Sequence, residues 1–303
     1  MEYPRGSEWR RWDLHFHTPA SCDYANRGVA NERIVDVLRE CNIRLVAITD
    51  HDIIDTKRIK DIQGIGGPYL TVLPGIELRT NLGGSKSIHI IGIWPEDADI
   101  ERIWQMVDVK LKLKEQIDSN GSDRTYVELN KASEIIRESG GLVSIHAGRK
   151  SNSLEEISNA QKFKQQVKAD IISKYVDILE VGQERDKNDY TNIVFPETGK
   201  LLPVVVCSDN HNIEKYECNA PLWVKANPTF RGLKQVLCEP EERIHIGEQP
   251  EQVSLVESSP TNFIDSVRIY KVDQAEGSTT WFSSQIQLNS GLIAIIGNKG
   301  SGK

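Results

Sequence analysis

Short apolar runs alternate with amphipathic stretches over most of the chain. The runs at residues 12–16, 44–49, 69–78, 87–94, 142–146, 176–181 and 203–208 are predicted strands, with shorter ones at 222–224 and 243–246. Helical periodicity occupies 31–41, 100–117, 126–138, 154–175 and 229–237. In the first of these, Ile34, Val35, Val37, Leu38 and Cys41 fall close to one face of a 3.6-residue helix. Ser139, Gly140 and Gly141 stop a helix just before a strand. Strands that alternate with helices predict an α/β fold with a mainly parallel sheet, either open or closed into a barrel. No internal repeat of about 20–50 residues is evident.

The pattern changes near residue 247. Residues 247–262 (GEQPEQVSLVESSPTN) are polar and rich in Pro, Ser and Glu, and read as a linker between a domain at 1–246 and a second unit at 263–303. Strand-like runs in that unit lie at 267–272, 286–288 and 292–296. So short a unit cannot bury a core of its own. It reads as the N-terminal fragment of a larger domain.

Composition narrows the classes. The chain has 303 residues, 38% hydrophobic and 27% charged, which fits a globular protein. No apolar run approaches the ~20 residues of a membrane helix, and the first residues (MEYPRGSEWRRWD) carry no apolar signal segment. A membrane role is therefore not expected. The net charge of -7 excludes a grossly basic nucleic-acid binder but not a local basic patch. Lys110, Lys112 and Lys114 read as a solvated helix face. Five cysteines, with no C-x-x-C pair, argue against a disulfide framework or a cysteine zinc site and make a reducing cytoplasm the default location.

The histidines carry more. Six of the seven lie at or near predicted strand ends, with acids beside them. His15 and His17 in WDLHFHTPAS share a face of an extended strand and can share a cation. An ordinary half-buried strand can also carry one H-x-H pair. Asp209 and His211 repeat the spacing after PVVVCSD, where an Asx turn is the alternative. Asp50 and His51 follow LVAIT. Glu77 stands in LPGIEL and Glu180 in DILEVG, each a carboxylate that is costly among apolar strand residues unless paired or metal-bound. For Glu77, an ion pair with Arg79 is the other reading. His89 (SIHIIGIW) and His146 (GLVSIHAGR) each resemble a satisfied core histidine when taken alone. Taken together, imidazoles or acids near six strand ends are improbable as accidents, because strand ends of a βα barrel converge on one face. Imidazole plus carboxylate without thiolate suits zinc, manganese or iron better than calcium.

These stretches resemble the PHP (polymerase and histidinol phosphatase) family of metal-dependent phosphoesterases over about residues 10–245. The signature stretches stand here as DLHFHTPASCD, AITDHD, SIHAG and CSDNH, with GIE between the second and third. The resemblance implies a distorted (βα)7 TIM-like barrel with two or three divalent metals at the strand C-termini. It assigns His15, His17, Glu77 and Asp209 to a first metal. Glu77, His89 and His146 go to a second, and Asp23, His51 and His211 to a third. Asp23 stands where several family members have histidine. The implied reaction is phosphoester hydrolysis, with His51, His211 and Asp209 as candidates for proton transfer. Arg79, Arg149 and Lys150 lie near these ligands in sequence and are candidate phosphate contacts. His245 lies outside the family pattern and suits a structural role.

A second motif closes the chain. The apolar run at 292–296 leads into Gly297, Asn298, Lys299, Gly300, Ser301, Gly302 and Lys303, a G-x-x-x-x-G-K Walker A pattern in the strand-then-loop setting it needs. GLIAIIGNKGSGK resembles the opening of SMC/ABC-like ATPase heads. ATP and Mg²⁺ would be cofactors only of a longer parent protein, because no Walker B strand follows. Two enzyme readings result: a phosphoesterase acting on nucleic acid or nucleotides within a PHP–ATPase protein, and a small-molecule phosphomonoesterase of the histidinol-phosphatase type. A non-catalytic metal-binding module that regulates the ATPase is the third reading. Sequence leaves the oligomeric state open.

Overall fold

The computed structural model describes residues 5–82, 87–157, 161–217, 221–268, 285–291 and 293, with side chains left out at 161–163. Two units are distinguishable: residues up to Trp9 with those from Gln249 onward, and Arg10–Glu248.

The larger unit is built on a nine-stranded sheet. Its strands are β1 (Trp9–Phe16), β2 (Ile43–Ile48), β3 (Thr71–Thr80), β4 (Ile88–Ile93), β5 (Leu142–Ala147), β6 (Ile178–Val181), β7 (Val204–Val205), β8 (Leu222–Lys225) and β9 (Ile244–Ile246). They are ordered β7-β6-β5-β4-β3-β2-β1-β8-β9. β1, β2 and β3 run parallel, as do β5, β6 and β7, while β4 is antiparallel to both of its neighbours. The chain after β7 returns to β1, where the Asp209 amide donates to the His15 carbonyl at 2.9 Å and the His17 amide to the Asn210 carbonyl at 3.2 Å. The sheet is thereby a nearly closed barrel within a mixed α/β fold.

Closure is fixed by a buried polar latch. The Asp13 carboxylate accepts from the Tyr216 hydroxyl at 2.9 Å and from the Ser208 amide at 3.1 Å. One apolar cluster draws residues from all nine strands, among them Trp12, Leu45, Leu73, Ile91, Leu142, Ile178, Val205, Leu222 and Ile244. Side chains from every strand can meet only where the sheet curls on itself. A second cluster packs the inner faces of the helices on the sheet, through Ile34 and Leu38, Ile59 and Ile62, Ile103 and Val107, and Ile135 and Ile136. Gly75 in β3 is required by this packing: a Cβ there would lie 2.7 Å from the Thr49 methyl and 2.8 Å from two carbonyl oxygens.

Helices differ from expectation in three places. Thr56–Gly66 is helical although its periodicity is weak; Asp55 caps it by accepting from the Arg58 amide at 3.0 Å. The predicted helix at 100–117 is two helices, Ile100–Leu111 and Leu113–Asn120, because Lys112 takes a left-handed conformation with φ 57°. Residues 154–175 hold a short 3-10 turn, Leu154–Glu156, and then the helix Gln161–Lys174. Cys22, Cys207 and Cys238 are free thiols.

In the smaller unit, the segment 247–262 that reads as a linker contains the helix Glu251–Ser258. Ser266–Arg268 and Gln285–Gln287 pair as an antiparallel two-stranded ladder. The Walker A residues 297–303 lie outside the described residues. Among the described residues no helix is long and apolar enough to cross a membrane.

Candidate metal centre

The strand directions decide which residues meet. With β4 reversed, the C-terminal ends of β1, β2, β3, β5, β6 and β7 share one rim with the start of β4. His89 therefore reaches that rim from the beginning of its strand, not from its end. In β1, three steps from Asp13 to Phe16 oppose two steps from Val46 to Ile48 in β2. This one-residue bulge at the strand end aims a side chain out of the regular pleat. It lies at His15.

The centre is a set of ligand-type atoms with few hydrogen atoms to share. His15 Nε2, His17 Nε2, Glu77 Oε2 and Asp209 Oδ1 converge. The separations are 2.9 Å between the two imidazoles, 3.2 and 3.4 Å from His15 to Glu77 and Asp209, and 3.2 and 3.3 Å from His17 to the same two. These spacings are of the size at which ligand atoms sit around one metal ion, given bonds of about 2 Å to imidazole nitrogen and carboxylate oxygen. The donor set therefore fits a divalent cation.

Three more groups adjoin it. His17, Asp23, His51 and His211 offer ligand atoms within 4.8 Å of one another, as do His51, Glu77 and His89, and His15, His146 and Glu180. Asp23 Oδ2 stands 3.3 Å from His51 Nε2 and 3.2 Å from His211 Nε2. Glu77 Oε1 is 2.6 Å from His89 Nδ1 and 3.5 Å from His146 Nε2. His51 Nδ1 lies 3.2 Å from Glu77 Oε2. Yet His51 Nδ1 and His211 Nε2 are buried and make no hydrogen bond. Both nitrogens are therefore available to a cation. Glu77 touches His15, His17, His51, His89 and His146 with its two oxygens and is the hub of the centre.

Electrostatics follow from burial and these contacts. Burial disfavours charged His15, but Glu180, Asp209 and Glu77 outweigh it and hold its pKa well above the ordinary imidazole value. His17 is likewise raised, to about 9: burial opposes the charge, and contacts with Asp209 and Glu77 overcome it. Burial dominates at His146, which falls to about 4 and is neutral. Burial would raise Glu77, but His15 and His51 hold it well below the carboxylate range. Asp209 is depressed too, with burial outweighed by His15, His17 and Lys150.

The sequence-based candidates separate into groups. His15, His17, Asp23, His51, Glu77, His89, His146, Asp209 and His211 all come together at this rim. Arg79 joins them at the edge of a cavity of about 350 Å³ that also exposes Asp23, His51 and His89; its guanidinium is held by Asp52 at 2.7 Å and the Ser122 carbonyl at 3.2 Å. A second cavity of about 670 Å³ is lined by Ser208, Asn210 and Lys215 and shares Asp209 and His211 with the first. Arg149 turns to Asp186 and Asp189. Lys150 lines neither of these cavities and sits between Glu180 and Asp209, 2.8 and 3.0 Å away. His245 meets the Glu248 carbonyl at 2.8 Å. Glu180 is the member that sequence left unassigned. Its signal is the one Glu77 gave, a lone carboxylate in an apolar strand.

No family model matches the chain, and no curated protein does. Solved structures do. A two-domain protein from Bacteroides vulgatus, containing a predicted PHP-like metal-dependent phosphoesterase, superposes with a TM-score of 0.51 at 12% identity, over 91% of this chain and 76% of that one. A candidate metal-dependent phosphoesterase from Bifidobacterium adolescentis gives 0.44 at 15% identity, over 75% and 95%. At 12% identity the likeness to the first of these is one of fold alone, a mixed α/β architecture with a nearly closed, barrel-like sheet.

Proposed function

We propose that the chain is a metal-dependent phosphoesterase that hydrolyses phosphoester bonds at a di- or trinuclear centre. The convergence of His15, His17, Glu77 and Asp209 carries the proposal, because two imidazoles and two carboxylates 2.9 to 3.4 Å apart make a donor set that one cation can share. His15, His17, Glu77 and Asp209 hold the first ion, Glu77, His89 and His146 the second, and Asp23, His51 and His211 the third. Zinc, manganese and iron suit this donor set. Divalent ions bound there polarise phosphoryl oxygens and lower the pKa of water. The chain's own residues orient and neutralise. Arg79 faces the smaller cavity as a contact for a phosphoryl oxygen. Its Asp52 partner holds the guanidinium in place. His211, part-exposed where the two cavities meet, is placed to pass a proton to the leaving oxygen, and His51 and Asp209 are the alternatives.

The substrate we favour is a phosphodiester in nucleic acid or a nucleotide. Space on both sides of Asp209 and His211 supports it, since a diester carries a group on each side of phosphorus. An attached P-loop ATPase unit belongs to the same proposal on the pattern of residues 297–303 alone.

The test compares p-nitrophenyl phosphate, bis(p-nitrophenyl) phosphate and a single-stranded oligonucleotide, with Mn²⁺ supplied. Cleavage of the diester and the oligonucleotide, weakening with salt, is the expected result. Turnover of the monoester alone would favour a small-molecule phosphatase. A chain that binds Mn²⁺ and cleaves none of the three would remove the proposal.

A further inference from the structure

Lys150 bridges two acids of the centre. Its ammonium touches Glu180 Oε1 at 2.8 Å and Asp209 Oδ2 at 3.0 Å, with its side chain 10% exposed. The loop that carries it follows β5 and presses on the end of β6. A Cβ at Gly182 would lie 2.9 Å from the Lys150 amide nitrogen and 3.0 Å from the Arg149 carbonyl carbon. Glycine at 182 lets the loop come this close. The same loop turns the Ser151 carbonyl to His146 Nδ1 at 3.0 Å, which aims His146 Nε2 at Glu77.

The group His15, His146 and Glu180 has the spacing of a metal site. Its contacts say otherwise. Both Glu180 oxygens face His15 Nδ1, at 2.9 and 3.1 Å, and Oε1 also faces the ammonium. A carboxylate that already holds a ring N–H and a lysine has little left for a cation. Asp209 is divided in the same way: Oδ1 faces His15 and His17 and Oδ2 faces Lys150.

We infer that Lys150 is a built-in cation of the centre, a positioning residue that neutralises Glu180, restricts Asp209 to one ligating oxygen and excludes a metal from the His15–His146–Glu180 group. The inference rests on the metal-centre reading above. Glu180 then acts on His15 from behind, fixing its Nδ1–H tautomer and leaving Nε2 for the metal.

The experiment counts Mn²⁺ per chain, by equilibrium dialysis at saturating Mn²⁺ with the free metal subtracted, in wild type, Glu180→Gln, Lys150→Ala and the double variant. Wild type and Glu180→Gln should hold the same number. Lys150→Ala should hold one more, because Glu180 and Asp209 are left uncompensated around an open space. The double variant should return to the wild-type number. The inference is overturned if Glu180→Gln holds one ion fewer, which makes Glu180 a ligand, or if folded Lys150→Ala holds no more than wild type. Should Lys150→Ala fail to fold, the Glu180→Gln count decides alone. A wild-type chain that holds no Mn²⁺ overturns the metal-centre reading itself, an outcome distinct from the other two.

Discussion

His15 faces Glu180 with one ring nitrogen and Glu77 with the other: Nδ1 lies 2.9 Å from Glu180 Oε2, and Nε2 lies 3.2 Å from Glu77 Oε2. An ionised carboxylate only accepts, so Glu180 fixes the proton on Nδ1 and frees Nε2 as a ligand. Burial works against ionised Glu180, but His15 and Lys150 bring its pKa down to about 2, so it stays charged across the working range. Glu180→Ala should weaken the tightest metal by about 10- to 100-fold, the usual cost of losing such a partner. Competition with a chelator of known affinity measures it. An unchanged affinity would mean that His15 is oriented by something else.

The group of His15, His17, Glu77 and Asp209 predicts a sharper outcome for its own members. His15→Ala, His17→Ala or Asp209→Ala should each lower metal content and reduce hydrolysis by at least about a thousandfold, since charge stabilisation by the metal supplies several kcal/mol of the barrier. Melting curves establish that each variant is folded. Wild-type rates in all three would disprove the ligand assignment.

Protons compete with the metal. In the metal-free chain His15 is held well above the ordinary imidazole pKa and His17 at about 9, so both carry a proton at neutral pH. A metal needs their lone pairs, and its uptake must expel those protons. Calorimetric titration at pH 7 in buffers of different ionisation enthalpy should show release of about two protons as the first group fills. Affinity should fall as pH falls from about 8 to 6, because the raised pKa values favour the proton-bound state throughout that window. Uptake without proton release would contradict these charge states.

The latch at the barrel seam can be probed away from the metals. Tyr216→Phe removes the hydroxyl that donates to buried Asp13 at 2.9 Å. Burial has already raised the Asp13 pKa against the lowering effect of its hydrogen bonds. The variant should lose about 1–3 kcal/mol of stability, the cost of an unsatisfied buried acceptor. Urea unfolding reads this directly, and a loss near zero would show that the seam does not depend on the bond.

Much of this site was legible because its motifs are local. The pairs His15 with His17 and Asp209 with His211 are set by two-residue spacing at strand ends, and burial makes lone carboxylates such as Glu77 conspicuous. His89 was legible as a residue but not as a position, since nothing in its own strand announces that β4 runs backwards. The role of Lys150 was not legible at all. Its two partners lie on β6 and after β7, 30 and 59 residues further on in the chain, and only a close loop packed on Gly182 brings them together. The break at Lys112 is likewise hidden, because the apolar periodicity continues across it on both sides.

The metal centre is tested most directly by element-specific anomalous scattering from crystals grown with Mn²⁺. A peak about 2 Å from His15 Nε2, His17 Nε2, Glu77 Oε2 and Asp209 Oδ1 is predicted, with further peaks beside His89 and His146 or beside Asp23, His51 and His211. Well-ordered side chains in this arrangement with no anomalous peak among them would contradict it.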